Sequence, residues 1–135
     1  MPSNLPVFAS SAFHLQGVAS TACSSGWASP TNMTILGSAG TGGALITNLW
    51  CLPRATNTAL MAMVFCSASG GSGAVMMEAK GVSADTVSIT DPPTKTTFAP
   101  TESAPWRLLP GDILLIGISV AIADGMAFHA DGAHF

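Results

Sequence analysis

Hydrophobic positions along this chain fall in short runs with a period of two, broken by Gly and Pro. Such alternation marks strands whose side chains point to opposite faces of a sheet. Asn32 to Leu36 is the first short strand, and the Gly-rich stretch Gly37 to Gly43 turns the chain. Ala44 to Thr56 predicts a longer strand. Leu45, Thr47, Leu49 and Cys51 lie on one face; Ile46, Asn48, Trp50 and Leu52 lie on the other. Both sets are mostly apolar, as in a strand covered on both sides, and Pro53 ends regular pairing or places it on an edge. Thr58 to Ser69 has the Ala, Leu and Met content of a helix. Ser69 to Gly73 is a Gly/Ser turn, however, and Ala74 to Lys80 supplies a returning partner, so the two runs predict a hairpin.

Thr86 to Thr90 alternates until Asp91-Pro92-Pro93 stops it, and Thr94 to Pro105 is a polar loop. A short strand from Trp106 then meets Pro110-Gly111, which suits the two central positions of a type II turn. Ile113 to Ala123 predicts a long central strand. Its uniformly large set, Leu114, Ile116, Ile118, Val120 and Ile122, should face the core. Ile113, Leu115, Gly117, Ser119 and Ala121 should face a neighbour or solvent. The run is far short of the roughly 20 residues that cross a bilayer, so it reads as core and not as an anchor. Asp124-Gly125 predicts a type I′ hairpin that returns Met126 to Phe135 antiparallel. With no helix longer than two turns, the fold class is all-β: an antiparallel β-sandwich or jelly roll. Residues 1–30, rich in Ser, Ala, Gly and Pro, read as an extended N-terminal arm; residues 31–135 read as the sandwich domain.

Composition sharpens this picture. At 135 residues the chain holds one core, and its 8% of charged residues is about a third of the usual share. Reading from Met1, the first charged residue is Arg54. A surface with so little charge is poorly protected against association, which implies that copies of the chain or a larger partner cover it. A net charge of −3 with 4 Lys and Arg argues against nucleic acid as a partner. Three cysteines without a CxxC spacing suit reduced thiols made in a cytoplasm. Pro2 and Pro6 interrupt the start of the chain and no basic residues lead it, so no signal peptide is expected.

Candidate chemistry is sparse. His129, Asp131 and His134 could in principle hold a transition metal, as in a small cupin-like metalloenzyme. A polar strand end at a subunit contact accounts for them better. No Gly-x-Ser-x-Gly elbow occurs, and Asp112 and Asp124 fit turns better than an acid/base pair. No catalytic residue, metal ligand or cofactor is therefore assigned, and an enzyme is not expected. The residues expected at interfaces are Phe8, Phe13 and Trp27 of the arm together with Trp50, Trp106, Ser119, His129 and His134.

Two stretches, "ITNLWCLPRATNTALMAMVF" (Ile46 to Phe65) and "WRLLPGDILLIGISVAIADGMAFHADGAHF" (Trp106 to Phe135), resemble a group of small tailed-bacteriophage virion proteins. Those chains carry an "(I/L)PRAT-N-TA" segment between two strands and end in "LxLxxGDxLxVGxxVAxAxGxxFxAxGxDF". Here His134 stands where an acidic residue is usual. The resemblance implies a β-sandwich accessory protein of the virion with no catalytic residues. It leads to an expected capsid decoration or cement protein, a homotrimer that binds the major capsid protein on the head surface. It would be synthesised in the host bacterial cytoplasm, with neither membrane nor nucleic acid as partner. The alternative is a tail-fibre, tail-tip or head-spike module that contacts the host surface.

Overall fold

The computed structural model describes residues 11–23, 30–68 and 73–135. In chain order the strands are β1 (Ser11–Ala19), β2 (Thr34–Ser38), β3 (Ala44–Pro53), β4 (Leu60–Ser67), β5 (Ala74–Val82), β6 (Thr96–Thr97), β7 (Trp106–Leu108), β8 (Ile113–Ile118) and β9 (Met126–His134). They form two antiparallel sheets packed as a β-sandwich, with no helix among the described residues. The first sheet runs β1-β9-β3-β6, with β7 also paired to β3; the second runs β2-β8-β4-β5.

Period-two alternation builds the core. On β9, Met126, Phe128 and Ala130 are buried while Ala127, His129 and Asp131 turn outward. Ile46, Leu49, Cys51, Met126 and Phe128 of the first sheet meet Ala62, Val64, Leu114, Ile116 and Ile118 of the second. Burying a side chain of this size contributes about 1.5–3 kcal/mol, so this layer is the main source of stability. The expected face of β8 holds at Leu114, Ile116 and Ile118. It fails at Val120, which is 40% exposed because the strand ends at Ile118; Ile122 re-enters the core from the turn that follows.

The hairpin of β4 and β5 is present, and its ladder runs from Leu60↔Val82 to Ser67↔Ala74. So is the Pro110-Gly111 turn: Gly111 has φ 81°, and Asp112 N–H donates to the Leu109 carbonyl at 3.0 Å. Four expectations need correction. Residues 11–19, read as part of an arm, form strand β1, which pairs along its whole length with β9. Thr86 to Thr90 is not a strand, because no strand pairs with it; Ile89 is fully exposed. On β3 a bulge at Thr47 adds one residue, so Leu49 and Cys51 join Ile46 on the buried face. Finally, Asp124-Gly125 is a turn, with Gly125 at φ 79°, but not a hairpin. β8 and β9 lie in different sheets, and the turn carries the chain from one sheet to the other.

The outward face of the second sheet is unusually apolar. Met63 and Phe65 pair with Gly117 and Leu115, which puts them opposite the core, yet both are buried. Cys23 lies over this face, held by a 2.7 Å bond from its N–H to the Ile118 carbonyl, and a Cβ on Gly117 would collide with its Sγ. Met61, Met76 and Leu115 are half-buried around them, and Ile35 is 63% exposed.

Candidate functional site

The polar groups gather on the outward face of the first sheet, where strand register places them in two lateral rows. One row is Gln16, His129, Trp50 and Thr97; the next is His14, Asp131 and Asn48. His14 Nδ1 lies 2.6 Å from Asp131 Oδ1 across the β1–β9 pair. A carboxylate only accepts, so this nitrogen donates, and in the neutral ring Nε2 then accepts from His129 Nδ1, 3.2 Å away. His129 in turn stacks on Trp50, with centroids 5.2 Å apart and planes 15° from parallel. Lys95 Nζ sits 5.2 Å from the Trp50 ring centroid, a cation–π contact. Asp131, His14, His129, Trp50 and Lys95 thus form one continuous string across the sheet.

Electrostatics make the two imidazoles unequal. Burial pushes the His129 pKa down, the adjacent His14 lowers it further, and Asp131 offsets part of this. Two imidazoles that share a hydrogen bond resist carrying two protons, which is the second of these causes. Shallow clefts flank the string. One, about 310 Å³, is lined by Thr47, Asn48, Thr97, Thr101, Glu102 and Asp131 over Pro100. The other, about 390 Å³, is lined by Gln16, Val18, Arg54, Ala127 and His129 beside Gly17.

The His14–Asp131 pair has the form of the base and its orienting carboxylate in a hydrolase triad. The nitrogen that would take a nucleophile's proton faces His129 instead of a hydroxyl or thiol. The thiols show no activation: burial pushes Cys51 up to about 12, while burial together with Asp112 pushes Cys66 up to about 11. Among the described residues no three His, Cys, Asp or Glu side chains converge to hold a metal ion. The face presents hydroxyls, an amide and carboxylates in one cleft, beside stacked rings and a cation.

The structure separates the residues singled out in the sequence. His129, Asp131 and Trp50 belong to this face. His134 does not: β9 stays regular through Gly132, so alternation sends His134 to the other side of the strand. There its Nδ1 lies 3.0 Å from the Ala39 carbonyl and its ring 4.5 Å from that of Phe13. Phe13 and Trp106 are half-buried against the core. Ser119 extends the β8–β4 pairing, its Oγ accepting from Met61 N–H at 2.8 Å and its own N–H donating to the Met61 carbonyl at 3.0 Å. Phe8 and Trp27 lie outside the described residues. Sequence reasoning missed His14, which is 117 positions from its partner Asp131. The signal was there: Phe13, Leu15 and Gly17 alternate with His14, Gln16 and Val18. No family model, curated protein or solved structure matches this chain.

Proposed function

We propose that this chain is a non-enzymatic structural protein of a bacteriophage particle, a decoration protein that lies on the head and links neighbouring major capsid subunits. The observation that carries the reading is the surface. The outward face of the second sheet presents Met61, Met76, Leu115 and Ile35 where a solvated sheet alternates to polar residues. Flexible, polarizable methionines suit a face that adapts to a partner. The strand order supports a finer reading of the sandwich as a jelly roll. Each sheet interleaves early and late strands, β1-β9-β3-β6 against β2-β8-β4-β5, as two nested Greek keys do. The resemblance of Trp106 to Phe135 to virion proteins points the same way.

Counting copies on purified particles tests it. A decoration protein is present in hundreds of copies and binds particles emptied of DNA; a handful of copies confined to the tail overturns the reading. That second outcome would favour a host-contact module, for which the cleft of Asn48, Thr97, Thr101, Glu102 and Asp131 has suitable chemistry. Hydroxyls, an amide and carboxylates are the groups that recognise glycans.

A further inference from the structure

A sheet edge is a row of unpaired backbone donors and acceptors, and folded proteins guard it. Three of the four edges in this sandwich are guarded. β2 is 5 residues long and carries a bulge at Leu36; β6 and β7 are shorter still. β5 is broken by a bulge at Met77 and carries Glu78 and Lys80. β1 differs from all of them. It is 9 residues long, regular in register, and contains no Pro, Lys, Arg, Asp or Glu. One of its edges is fully paired to β9, and among the described residues no hydrogen bond reaches the other.

The strand is also complementary to itself. Antiparallel pairing about a two-fold axis through Leu15 sets Ser11 opposite Ala19, Ala12 opposite Val18, Phe13 opposite Gly17 and His14 opposite Gln16. Each bulky or polar residue then meets one that fits it. Phe13, whose ring lies over Gly132 of its own sheet, then stands opposite a glycine whose own Cβ space is taken by Leu36 of the facing sheet, so this pair sets no two bulky side chains together. His14 and Gln16, both exposed on the outward face, oppose each other without a charge on either. No pair sets like charges together.

We propose that this second edge of β1, unpaired among the described residues, pairs with β1 of a second copy of this chain, so that two first sheets join into one continuous sheet across a two-fold axis. The interface is isologous and closes at two copies, in place of the three-fold arrangement expected from the sequence. It also sets the two His14–His129–Trp50 strings side by side on one outward surface. It needs no capsid, so it stands or falls separately from the decoration role.

Charge substitution at opposed positions tests both the occupant and the register. In the double variant His14→Lys with Gln16→Lys, each new ammonium group opposes another across the axis. In His14→Lys with Gln16→Glu, each new ammonium opposes a new carboxylate. Both positions are on the outward face, and the first substitution, opposite Asp131, is common to the two variants. Sedimentation velocity across a dilution series should give a two-copy mass for the parent chain and for the Lys/Glu variant. The Lys/Lys variant should show a dissociation constant raised roughly tenfold or more. Ala12→Lys with Val18→Lys, exposed positions opposed in the same register and away from Asp131, should weaken association equally if the His14 contacts prove essential for folding. Circular dichroism establishes that each variant is folded. A monomeric or three-copy parent chain overturns the proposal, and so does equal association of the Lys/Lys and Lys/Glu variants, since another strand or register would not distinguish them.

Discussion

Replacing Ile118 with Asp, and separately Val120 with Asp, tests where β8 ends. Both residues belong to the same alternating set, yet Ile118 is fully buried and Val120 is 40% exposed. At Ile118 the substitution removes a buried aliphatic side chain, a loss of about 2–3 kcal/mol. It also places a carboxyl among Ala62, Leu114, Ile116 and their core neighbours. To stay neutral there at pH 7, the acid must have its pKa lifted roughly three units above the ordinary value of about 3.9, at about 1.4 kcal/mol per unit. The total, about 7 kcal/mol, is comparable with the whole stability of an ordinary domain, about 5–15 kcal/mol. Ile118→Asp should therefore be largely unfolded in water at neutral pH, whereas Val120→Asp should lie within about 0.5 kcal/mol of the parent. Urea titration followed by tryptophan fluorescence and far-UV circular dichroism measures both, at one fixed protomer concentration because association contributes to apparent stability. Equal unfolding by the two substitutions would mean that the core face continues to Val120 and that the assigned strand end is wrong.

Other consequences are equally open to measurement. Between about pH 6.5 and the lowered folded-state pKa of His129, the unfolded chain binds more protons than the folded one. Stability should therefore fall as the pH drops below about 6.5, and this part of the pH dependence should vanish in His129→Gln, as read by thermal denaturation against pH. Gly117→Ala should cost about 1–3 kcal/mol because the new Cβ meets Cys23 Sγ; combining it with Cys23→Ala should recover much of the loss, and additive costs would refute the contact. Phe128→Ala, which empties a fully buried site beside Phe98, should cost about 3–5 kcal/mol in chemical denaturation. Of the thiols, Cys51 should resist alkylation at pH 8 until the chain is unfolded, since burial both shields it and pushes its pKa up to about 12.

Local signals were legible where the partner is also local. The β4–β5 hairpin and the Pro110-Gly111 turn follow from adjacent residues, and the structure contains both. The buried face of β8 follows from size alternation alone. Signals failed where the outcome depends on a distant neighbour. Asp124-Gly125 has the chemistry of a hairpin turn, but β9 finds its partners in β1 and β3, not in β8. Thr86 to Thr90 alternates like a strand, yet no strand pairs with it. The bulge at Thr47 reverses the faces of β3 beyond it, because a one-residue shift exchanges every later side chain. The outward string was half legible. His129, Asp131 and Trp50 were marked, but His14 reaches them only through the pairing of the first strand with the last.

That pairing also governs the order in which the molecule can be made. β9 lies between β1 and β3, and no described pairing joins those two strands directly. While the ribosome is still adding residues before Met126, β1 has no partner in its sheet and β3 has only the short β6 and β7. The second sheet is complete by Ile118, whereas the first waits for the final strand to thread between elements synthesised long before it. Closing such distant pairs carries a large entropic barrier, which places folding in the slower range of small domains, about milliseconds to seconds. Through that interval, among the described residues, both edges of β1 and one edge of β3 stay unpaired. Where many nascent copies accumulate together, those edges would first meet one another.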